Sequence, residues 1–250
     1  MKEQRFFVQT VICIKWGTRY GSDYVNRLFS MVKRNTNNPT RFVCFTDDAT
    51  GVDEGVEIRS LPSINIPDHV AWTPWRKLSL WQNPLEDLSG DLLFLDLDLV
   101  VTGNLDDFFS YEPGKYAVIH NWTQPNLQIG NTSCFRFTVG KHTHIFDQFN
   151  ADPEKVLSQF RIEQQYISDQ IPDQVFWPKD WCLSFKHNLM PRWPLNFFQE
   201  PELPANARII AFTGKPDPED AVIGKWPEKN FLKKSYKHVR PTKWIAEHWR

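Results

Sequence analysis

No stretch of this sequence stays apolar for long enough to cross a bilayer. Met1 is followed by Lys2, Glu3, Gln4 and Arg5, and the apolar run from Phe6 to Ile14 is cut by Lys15. That run is too short for a spanning helix and carries no small-residue cleavage site, so a cytoplasmic protein is expected. Cysteine is sparse. Cys13, Cys44, Cys134 and Cys182 are widely separated and sit mostly in apolar runs, which excludes a zinc spacing and a disulfide framework and predicts buried free thiols. An excess of either charge is also missing: 29 Lys plus Arg stand against 30 Asp plus Glu, a net charge of -1. There is no field to hold a nucleic acid backbone. Internal repeats and low-complexity linkers are absent.

What is present is enough for a large core, since 41% of the 250 residues are hydrophobic and 14% aromatic. Residues 1–250 are expected to form one domain. Phe6 to Ile14 reads as a buried strand, after which Tyr24, Leu28, Phe29 and Val32 recur at helical spacing up to Lys33 and Arg34. Arg41 to Phe45 and Val56 to Leu61 read as further strands, completing a β-α-β opening. A helix is expected from Trp75 through Leu78 and Trp81 until Pro84 ends it, then a strand over Leu92 to Leu97. The second half is less regular, with strands expected at Tyr116 to His120, Thr132 to Val139 and Arg208 to Phe212, and helices at Thr143 to Phe149 and Gln165 to Ile171. Strands alternating with helices predict an α/β fold whose ligands gather at the carboxyl ends of a mainly parallel sheet. Residues 225–250 form a distinct basic, aromatic tail.

Asp96 and Asp98 carry the clearest chemistry. Two residues apart at the end of an apolar strand, their carboxylates share one face. Adjacent carboxylates in apolar surroundings need something to offset desolvation and repulsion, and a hard divalent cation, manganese or magnesium, does so. The bland alternative is that Asp96 and Asp98 merely end a strand, capping the next turn or pairing with basic residues. A sharper one is that Asp96-Leu97-Asp98-Leu99-Val100-Val101 also satisfies the nucleophile motif of haloacid dehalogenase-like phosphatases, with Asp96 attacking phosphorus. That motif belongs on a first strand, whereas a complete β-α-β unit precedes it here, and no convincing acidic metal motif follows, Asp217 and Asp220 lying in a proline-containing loop.

The stretch WRKLSLWQNPLEDLSGDLLFLDLDLVVTGNLDDFF, with a basic residue on a helix before the Asp-X-Asp strand and an Asn-Leu-Asp-Asp-Phe-Phe turn after it, resembles glycosyltransferase family 8, the glycogenin-like and bacterial lipopolysaccharide-sugar transferases. The resemblance spans most of the chain and implies the GT-A nucleotide-diphosphosugar fold, with a Rossmann-like sheet flanked by helices. It assigns Asp96 and Asp98 to manganese and the sugar-nucleotide, and Lys77 to the donor phosphates; taken alone, Lys77 reads as a solvated helix-face lysine. Trp16 and Tyr20, in the loop after the first strand, fall where the nucleotide base is met. Tyr20 would stack on it, with Tyr24 a substitute, although packing on the following helix explains an aromatic there nearly as well. Thr46 and Asp47 end the second strand at the same crevice, a place for base or ribose, or simply an Asx turn.

Gly130-Asn131-Thr132-Ser133 resembles the family segment lining the donor sugar, which implies a sugar contact for Asn131. Asp169-Gln170 matches the family Asp-Gln pair beside the transferred sugar and the reaction centre. One departure concerns the metal: the family His-Phe-X-Gly motif reads Ala211-Phe212-Thr213-Gly214 here, so its third ligand is missing, while Lys215 and the backbone at Gly214 remain placed to meet the diphosphate. The resemblance thus implies transfer of a hexose from a UDP-sugar to a glycan or lipid-linked acceptor, metal-dependent and retaining. A degenerate nucleotide-sugar-binding protein is the alternative the missing His leaves open. Trp72 and Trp75 offer stacking surfaces for an acceptor sugar. The tail over 225–250 either packs on the domain or meets the inner face of an anionic membrane.

Overall fold

A computed structural model describes residues 8–250, so Phe6 and Phe7 of the expected first strand lie outside the described residues. Strand β1 (Gln9–Lys15) is buried along its whole length, which explains why it reads as a continuous apolar run rather than an alternating one. Helix α1 (Ser22–Arg34) buries the stripe Tyr24, Val25, Leu28, Met31 and Val32, with Asp23 in its first turn and Lys33 and Arg34 in its last, where they complement the helix dipole. It leads into β2 (Thr40–Thr46), parallel to β1, and then β3 (Glu57–Ser60), parallel to β2.

The chain then crosses to the other side of β1. A 3-10 helix, Pro74–Trp81, stands where a helix beginning at Trp75 is expected, and β4 (Asp91–Leu95) pairs parallel with β1. β5 (Leu99–Val101) belongs to a different sheet, so Asp96 and Asp98 lie in the turn between sheets and not within the strand expected over Leu92 to Leu97. After the short α2 (Asp107–Ser110) come β6 (Ala117–His120) and β7 (Gly130–Thr138), both antiparallel to their partners in the pairs β6–β7 and β4–β7. Helices α3 (His144–Ala151), α4 (Pro153–Gln159) and α5 (Glu163–Gln170) precede β8 (Val175–Phe176) and β9 (Cys182–Ser184). β10 (Ile209–Ala211) ends the strands.

The large sheet has the order β3-β2-β1-β4-β7-β6-β8 and the small one β5-β10-β9. The direction of winding reverses between β1 and β4, and the crevice at the carboxyl ends of those two strands is where such sheets bind ligands. All four cysteines are buried free thiols, as expected, and burial pushes those of Cys13 and Cys134 up. No helix among the described residues is long and apolar enough to cross a membrane.

The last part of the chain, with α6 (Pro218–Val222), α7 (Phe231–Lys234) and α8 (Lys243–His248), packs back on the domain. Val239, Ile245 and Trp249 are buried. The Trp249 ring lies 5.3 Å from Tyr24 and 4.0 Å from the Arg27 guanidinium, and Arg34 donates to the His248 carbonyl at 2.6 Å, which ties the tail to α1. Leu232 on α7 is left 75% exposed among Lys229, Lys233 and Lys234.

Candidate active site

A cavity of about 720 Å³ opens at the β1–β4 crevice. One wall is the loop Lys15 to Tyr20, another is Trp72, Pro74 and Lys77, and the floor is the Asp96-Leu97-Asp98 turn. Gly17 sits at φ +60, a left-handed turn that glycine adopts without strain, and its N–H donates to the Asp47 carboxylate at 2.9 Å. Asp47 therefore props the loop. Thr46 turns its hydroxyl to the Asp48 carbonyl at 3.0 Å and accepts from the Asp48 N–H at 3.1 Å, a local turn that Asp47, bonded across to Gly17, does not share, and neither residue lines the cavity.

Lys77 is only 4% exposed, which rules out the solvated helix-face reading. Its ammonium lies 2.7 and 2.8 Å from the two oxygens of Asp96 and donates to the Thr132 carbonyl at 3.0 Å, occupying its three donors. Asp96 is anchored from behind by its own N–H, which donates to the Ser133 carbonyl at 2.9 Å. Asp98 accepts from the Tyr20 hydroxyl at 2.8 Å. Burial first, and the neighbouring Asp96 charge second, push the Asp98 carboxyl up to about 7. Of two adjacent, half-buried carboxylates, Asp96 alone contacts the ammonium, and Asp98 lacks a cationic partner of its own. A divalent cation fits that deficit. Among the described residues no third Asp, Glu, His or Cys joins the pair, so such a cation would complete its shell with water and substrate oxygens, the usual arrangement for magnesium at phosphate sites.

Tyr20 is already engaged. Besides its bond to Asp98, its ring lies 4.7 Å from Tyr24 and 4.8 Å from the Arg19 guanidinium, so it holds the acidic turn and is poorly placed as an open platform for a base. Trp16 and Trp72 are the other aromatic rings in the lining. Trp72 is 76% exposed with its indole N–H bonded to the His69 carbonyl at 3.1 Å, leaving the ring available for stacking. Trp75 is buried and stacked on Phe149 at 5.4 Å, which removes it as an acceptor surface.

Asn131 is buried and turns its carbonyl oxygen to the Ser133 N–H at 3.1 Å. Asp169 and Gln170 are bonded to each other at 2.9 Å at the far end of α5, outside the cavity lining. The same helix begins with Glu163 and Gln164. Glu163 is 3% exposed and accepts from the Thr132 hydroxyl at 2.8 Å, while Gln164 accepts from Asn121 at 3.0 Å. Burial raises the Glu163 carboxyl, and Lys77 opposes that shift. Helical period explains the displacement: Glu163, Tyr166 and Ile167 share the buried face at i, i+3 and i+4, and Asp169 points away from it. An acidic residue followed by Gln, aligned with the buried stripe, was the signal for Glu163 and Gln164.

The loop after β10 completes the surroundings. Phe212 N–H donates to the Asp98 carbonyl at 3.1 Å, Ala211 is buried and offers no ligand, and Gly214 has φ +80. Lys215 is paired with Asp217 and lies 3.5 Å from Asp220. Gly214 and Lys215 are outside the cavity lining.

No protein-family model matches the sequence. Solved structures of similar fold include several glycosyltransferases. The galactosyltransferase LgtC, in complex with donor and acceptor sugar analogs, superposes with a TM-score of 0.58 at 13% identity over 84% of this chain and 89% of LgtC. The glycosyltransferase GlyE of Streptococcus pneumoniae TIGR4 gives 0.57 at 15% identity over 84% of this chain and 56% of GlyE. The bifunctional glycosyltransferase WbbM gives 0.56 at 13% identity over 84% of this chain and 46% of WbbM. The chain therefore has the GT-A glycosyltransferase fold.

Proposed function

We propose that this protein is a glycosyltransferase of the family 8 type, moving a hexose from a nucleotide-sugar, a UDP-sugar by resemblance, with retention of anomeric configuration. The observation that carries the reading is the cluster of Lys77, Asp96 and Asp98 in a cavity at the point where the sheet reverses direction. A divalent cation, manganese or magnesium, held there by Asp96 and Asp98 would neutralise the departing nucleoside diphosphate. Lys77 holds Asp96 in place and brings a second positive charge to the same leaving group. Trp16 lies in the wall that meets the base, and Glu163 and Gln164 take the place by the donor sugar that Asp169 and Gln170 leave vacant. Lys215 and the Gly214 backbone are assigned to the diphosphate by the resemblance alone. The GT-A fold leaves no support for Asp96 as a phosphatase nucleophile.

Trp72 is the platform for a saccharide or lipid-linked acceptor. An acceptor in a membrane suits the exposed surface formed by Leu232 and Tyr236 with Trp193 and Phe198, which is joined through Asn196 donating to the Tyr236 carbonyl at 2.8 Å and is rich in lysine. Anionic vesicles should retain the protein in co-sedimentation and neutral ones should not. The missing third ligand at Ala211 supports a second reading, a protein that binds donor without turnover.

The test is a thermal-shift screen of nucleoside diphosphates and their sugars with and without manganese, on wild type and Asp98→Asn. The expected result is metal-dependent stabilisation by one nucleotide-sugar, lost in the variant. Stabilisation by none removes the donor site. Binding with no nucleotide released to any glycan or to water favours the binding protein.

A further inference from the structure

Arg19 stands in the cavity wall with its charge nearly unused. It follows Thr18 in the loop after β1 and its side chain is 56% exposed. The guanidinium rests against Tyr20, 4.8 Å from the ring centre, and reaches Asp217 at 3.5 Å in an ion contact too long and oblique for a hydrogen bond. No carboxylate among the described residues pairs with it closer than Asp217, and although burial opposes its charged form, Tyr20, Asp217 and Asp98 together favour it. A guanidinium carries five N–H donors in a fixed fork that matches phosphate oxygens, and an arginine kept dry on one side by an aromatic ring is suited to bind one.

Its position fixes which phosphate-bearing ligand it would meet. Tyr20, the next residue, donates to Asp98, while Lys77 grips Asp96 from the other side of the same turn. A diphosphate drawn to the Asp96–Asp98 turn enters a cavity whose lining carries both Lys77 and Arg19. Asp217 is nearly buried and shared with Lys215, so it cannot swing out to follow Arg19.

We propose that Arg19 is a diphosphate-binding residue of the donor site, reaching from its contact with Asp217 to the phosphates across from Lys77. The inference rests on the nucleotide-sugar reading above and adds to it a ligand that the family motifs do not supply. It also offsets the missing third metal ligand, because a fixed positive charge on the diphosphate does part of what a tighter metal site would do.

The experiment is calorimetric binding of UDP, GDP, ADP and CDP, each beside its nucleoside, with manganese, to wild type, Arg19→Gln and Arg19→Lys. The expected result is that Arg19→Gln weakens the diphosphate that binds wild type by about tenfold or more and leaves its nucleoside unchanged, with Arg19→Lys between the two. Arg19 is a surface side chain, and an unchanged melting temperature checks that the variants fold; should Arg19→Gln fail to fold, the charge-keeping Arg19→Lys still reports the loss of the fork. Equal diphosphate affinity in wild type and variants overturns the role of Arg19 and leaves the donor site standing. Wild type that binds no nucleoside diphosphate overturns both.

Discussion

Replacing Lys77 by Met removes the ammonium that contacts both oxygens of Asp96 and the Thr132 carbonyl. The Met side chain fills much of the same volume, so the loss is mainly electrostatic. Breaking a buried pair by deleting one partner costs about 3 to 5 kcal/mol, since the other charge is left without compensation. The Asp96 side chain is 20% exposed, so water reaches it and the lower figure, about 3 kcal/mol, applies. Asp96→Asn leaves the more deeply buried ammonium facing only an amide oxygen and the Thr132 carbonyl, and should cost a comparable amount. The double variant removes both charges together and should cost less than the sum, with a coupling of about 2 kcal/mol. Urea denaturation of the four proteins at neutral pH measures the cycle. Additive losses, within about 0.5 kcal/mol, would refute the pairing as the reason Lys77 is buried.

Other consequences follow from single residues. Burial raises the folded-state Glu163 carboxyl above its unfolded value, so its contribution is fully present below the unfolded value and is lost as pH rises through the folded one. Glu163→Gln, which cannot ionise, should gain stability relative to wild type as pH rises above the ordinary glutamate value of about 4 and through the raised folded-state value, read from urea midpoints; a difference that does not change with pH would contradict this. Trp249→Ala should cost about 3 to 5 kcal/mol and expose the tail to limited proteolysis, because Trp249 is buried against Tyr24 and Arg27. Trp72→Ala should leave stability within about 0.5 kcal/mol and raise KM for the acceptor but not the donor in transfer kinetics, and an unchanged acceptor KM would remove the stacking role.

Much of the first half was legible in the sequence because β1, β2 and β4 are buried on both faces and read as unbroken apolar runs. The acidic pair stood out for the same reason, as charges set in an apolar run, whereas Lys77 was singled out only by the family resemblance and its burial appears only in the structure. Strands β5, β8 and β9 were missed: two or three residues are too few to show a period. The segment Pro74–Trp81 has helical spacing but proline at its start, and it closes as a 3-10 helix. Asp169-Gln170 drew attention as a motif, whereas the acidic side chain of α5 that is buried against β7 is Glu163, which its bond to the Thr132 hydroxyl identifies. The partnership of Arg19 with Asp217 joins residues that the chain separates by nearly its whole length, and no local pattern announces it.

The most direct test of the central claim is release of nucleoside diphosphate from a panel of nucleotide-sugars, followed by mass spectrometry with a glycan acceptor mixture. The account predicts release from one donor with manganese, abolished by a chelator and by Asp98→Asn. Release that survives both, or no release from any donor alongside phosphate released from a generic phosphomonoester in a reaction lost on Asp96→Asn, would contradict it.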